Sequence, residues 1–156
     1  MKKTLVIVVH PTLSTSTINK AWSETACGHA TLHFLYDAYP DGASFDIAAE
    51  QALIEAHDRI VFQFPLYWYA APYLLKKWLD EVITYGWAYG EGGDKMEGKE
   101  LAVPSPAEVK NKSFLRGEYN VIPWLIICRF LMGLPPSFVP SILDFMPYTT
   151  LTIRQR

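Results

Sequence analysis

From Thr4 to Val9 the chain runs TLVIVV, a β-branched and aliphatic stretch with almost no alternation. A strand that apolar on both faces has to be covered on both sides, as in the middle of a parallel sheet under helices. The polar stretch His10 to Thr17 follows, and Ile18 to about Gly28 can form a helix closed by a glycine. Thr31 to Tyr36 (TLHFLY) is rich in strand formers, and Pro40-Asp41-Gly42 after it is turn chemistry. Asp46 can cap a helix running through Ile54 and ending near His57, with Ile47, Leu53, Ile54 and the alanines on its apolar face. Arg59 to Phe64 (RIVFQF) predicts a third strand, stopped by Pro65. Leu74, Leu75, Trp78, Leu79 and Val82 recur at helical spacing, so Ala71 to Val82 predicts a helix with Pro72 in its first turn. Gly86, Gly90, Gly92 and Gly93 mark a long loop, after which Lys99 to Val103 resembles the start of a fourth strand. Strand alternating with helix predicts a right-handed doubly wound α/β fold.

Beyond Val103 the pattern fails. Seven of the eleven prolines fall in the last third, and no clean helix period survives between them, so that third is expected to be irregular or truncated. A length of 156 residues suits a single domain at ~100–200 residues each. With 50% hydrophobic and 19% charged residues the chain is too apolar for disorder, and a net charge of −2 leaves no field to steer it toward nucleic acid. Cys27 and Cys128 lack CxxC spacing and read as reduced thiols of a cytoplasmic protein. Met1-Lys2-Lys3 is basic, but the apolar run after it is too short for a signal peptide. The stretch Val121 to Leu134 is broken by Pro123 and Arg129 and falls short of the ~20 residues that cross a bilayer.

Ligands of open α/β sheets bind beyond the carboxyl ends of the strands. Two predicted loops lie there. In His10 to Asn19, the hydroxyls of Ser14, Thr15, Ser16 and Thr17, the Asn19 side chain and the amides opening the helix could surround a phosphate. The loop has no Lys or Arg, so such a cradle is neutral; an ordinary capped turn would use the same hydroxyls. In Pro65 to Pro72, the adjacent aromatics Tyr67, Trp68 and Tyr69 suit either a wall for a planar heterocycle or an aromatic plug at a subunit interface. His10, His29, His33 and His57 show no metal-ligand spacing, and no metal is assigned. GxSxG, GxxxxGK[ST] and GxGxxG motifs are absent from the sequence, against serine hydrolase, triphosphatase and dinucleotide-fingerprint readings. Asp80, Glu81 and Glu97 read as solvated positions.

The segment FQFPLYWYAAPYLLKKWLDEVITYGWAYG (Phe62 to Gly90), together with His10-Pro11, Ser16-x-x-Asn19 and Phe45 to Gln51, resembles the flavodoxin-like NAD(P)H:quinone oxidoreductases. The likeness is to the branch holding the bacterial potassium-efflux ancillary proteins and general stress proteins, and spans about residues 3 to 103. It implies a flavodoxin-like doubly wound parallel sheet with flanking helices. By the same resemblance His10, Ser16, Ile18 and Asn19 hold a flavin's phosphate and ribityl chain, while Pro65, Leu66, Tyr67, Trp68 and Tyr69 hold its isoalloxazine ring. The cofactor is FMN or FAD, with NAD(P)H as co-substrate and a quinone or similar small aromatic acceptor. A homodimer with sites at its interface is implied, in the cytoplasm or peripheral at the inner face of the membrane, with no nucleic acid. A regulatory subunit of a potassium efflux transporter and a one-electron flavodoxin-type carrier are the alternatives. One departure bears on activity. The family's TTGG loop after the fourth strand is missing, since Ala102-Val103 runs into Pro104-Ser105-Pro106, and catalytic residues are left unassigned. Phe114, Tyr119 and Leu134 to Val139 are islands of likeness in a tail that reads as scrambled by changes of reading frame, a natural but divergent tail being the alternative.

Overall fold

The computed structural model describes residues 2–40, 43–67, 70–104 and 148–152. Strand β1 (Thr4–Val8) takes the central position its sequence predicts. Leu5, Ile7 and Val9 are inaccessible and Val6 and Val8 nearly so, which requires cover on both faces. It pairs in parallel with β2 (Thr31–Phe34) on one side and β3 (Arg59–Gln63) on the other, Ile7 lying between His33 and Phe62. Strand β4 (Glu100–Pro104) continues the parallel sheet beyond β3. The sheet order is β2-β1-β3-β4-β5, and chain direction across the sheet reverses between β1 and β3.

The fifth strand, β5 (Tyr148–Thr152), departs from the all-parallel expectation by pairing antiparallel with β4. Its residues, YTTLT, are good strand formers that the surrounding prolines concealed. Phe114, Tyr119, Leu134 to Val139 and the junction at Pro106 lie outside the described residues.

Among the described residues four helices accompany the strands: α1 (Ile18–Ala26), α2 (Leu35–Ala38), α3 (Ile47–Glu55) and α4 (Tyr73–Val82). Helix α1 is followed by Gly28 at φ +82°, a left-handed conformation that glycine adopts without strain. The strand expected to reach Tyr36 instead stops at Phe34. Its partner β1 ends opposite at Val8, and Leu35 turns into the core, where it is fully buried. Asp46 caps α3 as expected, its carboxylate accepting the Ala49 amide at 3.0 Å. Pro72 immediately precedes α4.

Alternate residues of the strands point to opposite faces. Leu5, Ile7, Ile60 and Phe62 form one core with Leu74, Leu75, Trp78 and Val82 of α4 and Ile54 of α3. The Trp78 and Phe62 rings meet edge to face at 5.9 Å. Within this core sits Glu50, 3% exposed. Its carboxylate accepts from Trp78 Nε1 at 2.8 Å and from the Tyr39 hydroxyl at 2.8 Å. His33 Nε2 lies 2.9 Å away as an ion-pair contact. Burial pushes the Glu50 pKa up, but the groups at His33, Trp78 and Tyr39 outweigh it and hold the carboxyl below its usual value. Burial and that carboxylate push the Tyr39 phenol up to about 12.

His57 is likewise structural, its ring nitrogens 2.7 Å from the Leu53 carbonyl and 2.8 Å from Thr31 Oγ1. Asp80 and Glu81 form ion pairs with Lys76 and Lys77 one turn away on α4. Among the described residues no group of three or more His, Cys, Asp or Glu could hold a metal ion, and no helix is long and apolar enough to cross a membrane.

Candidate functional site

Strands β1 and β3 end side by side, and the Val9 amide extends their pairing by donating to the Gln63 carbonyl at 2.8 Å. Both predicted loops leave from this point, where the sheet order reverses, the position beyond which open α/β sheets bind their ligands.

The first loop is shaped by its own hydrogen bonds. The Thr12 amide donates to His10 Nδ1 at 3.1 Å, which places the ring proton on Nε2. Burial lowers the His10 pKa, so the ring is a neutral donor at physiological pH. A 3₁₀ turn over Leu13–Thr15 closes with the Ser16 amide on the Leu13 carbonyl at 3.0 Å. Helix α1 then begins, with Ser16 supplying the side-chain cap: its Oγ accepts the Asn19 amide at 3.2 Å. Thr17, nearest the helix, makes no such bond. The remaining amides of the first turn have no intrahelical acceptors and point outward at the positive end of the helix dipole. Ile18 is 50% exposed. Asn19 Oδ1 is buried and has no hydrogen-bond partner among the described residues.

The second loop is pinned at its base, where Tyr67 and Ala70 exchange two backbone hydrogen bonds of 2.9 Å each. Pro65 is partly buried, whereas Leu66 and Tyr67 are exposed although apolar. Trp68 and Tyr69, expected in the same wall, lie outside the described residues. Burial, then the charges that Tyr73 and Tyr67 would carry, raise the Tyr36 pKa.

His10, Ser16, Ile18 and Asn19 thus follow β1, and Pro65, Leu66 and Tyr67 follow β3, the two strand ends being joined by the Val9–Gln63 hydrogen bond. A residue not singled out from sequence joins them. Gln63, 2% exposed, donates from Nε2 to the Asn19 carbonyl at 2.7 Å and to Ser23 Oγ at 2.9 Å. Its signal was a polar side chain closing an apolar strand at the sheet's carboxyl edge.

The chemistry on offer is neutral. Outward amides and the Ser16 hydroxyl suit an anion, the orphaned Asn19 Oδ1 suits a hydroxyl donor, and exposed Ile18, Leu66 and Tyr67 suit a flat apolar ring. A phosphate, a polyol chain and a planar heterocycle are the parts of a flavin mononucleotide, and the donor set fits that group.

Sheet order and paired loops together define a flavodoxin-type α/β protein. The chain belongs to the family with a flavodoxin-like fold, whose model matches residues 2–121. The match extends beyond Val103, where the likeness was expected to stop. Over 120 residues the chain is 57% identical to general stress protein 14 of Bacillus subtilis, covering 76% of this chain and 68% of that one. It is 50% identical over 121 residues to the uncharacterized NAD(P)H oxidoreductase YdeQ of the same organism, covering 76% of this chain but only 61% of YdeQ. Among solved structures, general stress protein 14 of Treponema denticola, in complex with FMN, superposes with a TM-score of 0.66 at 41% identity, covering 83% of this chain and 79% of that one. An NADPH-quinone reductase from P. pentosaceus gives a TM-score of 0.53 at 39% identity, covering 65% and 57%.

Proposed function

We propose that this chain binds FMN between the two loops and serves an NAD(P)H-dependent oxidoreductase that reduces quinones or similar aromatic acceptors. The observation that carries the reading is Asn19 Oδ1, a buried acceptor with no partner among the described residues, at the junction of the two loops. A buried polar atom left unsatisfied costs stability, and its presence in such a place is best explained by a ligand that supplies the missing donor. The FMN carried by the Treponema denticola relative, and the names of the relatives as NAD(P)H oxidoreductase and NADPH-quinone reductase, support the same reading.

When bound, the flavin supplies the redox chemistry, a hydride taken from NAD(P)H and two electrons delivered to the acceptor. This chain's own residues bind and orient it. Ser16 and the first amides of α1 hold the phosphate without formal charge, and Asn19 Oδ1 accepts from a ribityl hydroxyl. His10 donates from Nε2, while Ile18, Pro65, Leu66, Tyr67, Trp68 and Tyr69 hold the ring and exclude water from its apolar edge. The exposed Leu66, Tyr67, Tyr73, Tyr85 and Tyr89 support a second copy of the chain covering the site as a homodimer.

Mixing the purified protein with FMN, desalting and recording the visible spectrum tests the proposal. Stoichiometric retention of FMN, followed by bleaching with NADPH or NADH and recolouring with a quinone, is the expected result. A folded protein that retains no flavin would overturn it, and one that retains only FAD would overturn the choice of FMN.

A further inference from the structure

Gln63 ends β3 on the sheet face turned toward α1, the face its strand neighbour Val61 also presents. Methionine or leucine would fill that buried space equally well, so packing alone does not call for an amide. The hydrogen bonds do. One side chain reaches both the Asn19 carbonyl and Ser23 Oγ, and Ser23 in turn donates to the same carbonyl at 3.0 Å. The Gln63 carbonyl meanwhile takes the Val9 amide, and the Asn19 amide donates to Ser16 Oγ. Gln63 thus joins the ends of β1 and β3 to the first turn of α1 and sets the distance between the two loops.

We infer that Gln63 is a positioning residue for the flavin, holding Ser16 and Asn19 in register with a ring seated on Pro65 to Tyr67. The inference rests on the FMN reading above. It acts on the phosphate-bearing end of the ligand, because only the α1 side of the proposed site depends on these bonds.

Fluorescence titrations of the full chain with FMN and with riboflavin separate the possibilities, since riboflavin shares the ring and ribityl chain but lacks the phosphate. Gln63→Met, which keeps the volume and removes the donors, is expected to lower the preference for FMN over riboflavin about tenfold. His57→Gln, a change at another buried hydrogen-bonded side chain remote from both loops, controls for lost stability and should leave that preference within about twofold of the natural protein. An unchanged preference in Gln63→Met overturns the positioning role and leaves the flavin reading standing. Failure of the natural protein to bind FMN overturns both. Should Gln63→Met not fold, Ser23→Ala removes one of the two acceptors and should lower the preference about threefold, an unchanged value again overturning the role.

Discussion

Two buried polar clusters lie on opposite faces of the same sheet. Around Glu50, on the α3 and α4 face, Trp78 and Tyr39 donate to one carboxylate and His33 Nε2 lies 2.9 Å from it, without a hydrogen bond of its own among the described residues. Around Gln63, on the α1 face, the hydrogen bonds are as short, yet the adjoining Asn19 Oδ1 is left without a partner among the described residues. The contrast is between a buried carboxylate that finds its donors within the fold and a buried amide oxygen that finds none among the described residues. Satisfaction of hydrogen bonds, more than burial or polarity, distinguishes scaffold from site.

The largest test of that contrast is Glu50→Ala, which strands the Trp78 and Tyr39 donors and removes the carboxylate beside His33, and should cost about 3–5 kcal/mol in a denaturant titration. Flavin affinity of the molecules that remain folded should not change. Acid acts on the same group. Because the folded Glu50 carboxyl lies below its ordinary value of 4.5, the unfolded chain takes up the proton first as pH falls. The stability it contributes is intact above that value and drains away as pH drops through the folded one, and Glu50→Gln should flatten this acid limb of the midpoint-against-pH curve. Tyr39→Phe removes one donor and leaves the carboxylate its bond from Trp78, so a loss of about 1 kcal/mol is expected by the same titration. Asn19→Ala should behave in the opposite manner. Removing an orphaned oxygen should shift stability by no more than about 0.5 kcal/mol, while FMN affinity measured by fluorescence falls about tenfold. A large loss of stability from that last change would erase the distinction between the two clusters.

The framework was legible because apolar runs carry their own geometry. TLVIVV announced a doubly covered strand, and the spacing of Leu74, Leu75, Trp78 and Val82 announced α4, as found. The end of β2 was misjudged because the strand propensity of Leu35 and Tyr36 says nothing about where β1 stops offering a partner. Glu50 was readable in principle: it lies three residues after Ile47 and four before Ile54, in the middle of the apolar stripe of α3. A charge there looks like an interruption until the groups that surround it come into view, and those arrive from β2, Tyr39 and α4, all remote in sequence. The two loops proposed to bind the ligand were picked out from strand ends and residue types. Gln63, the link between them, was hidden inside a strand whose neighbours are nearly all apolar. β5 was masked in a tail whose prolines outweighed five good strand residues.

The loop from His10 to Asn19 is built without a single lysine or arginine. A phosphate bound there as proposed would be held by dipoles alone, and dissolved salt would have no ionic contact in the loop to screen. The cluster of Lys2, Arg59 and Glu100, at the far ends of the strands, should weaken as the solution becomes concentrated. The proposed grip of the loop on a phosphate should stay nearly constant.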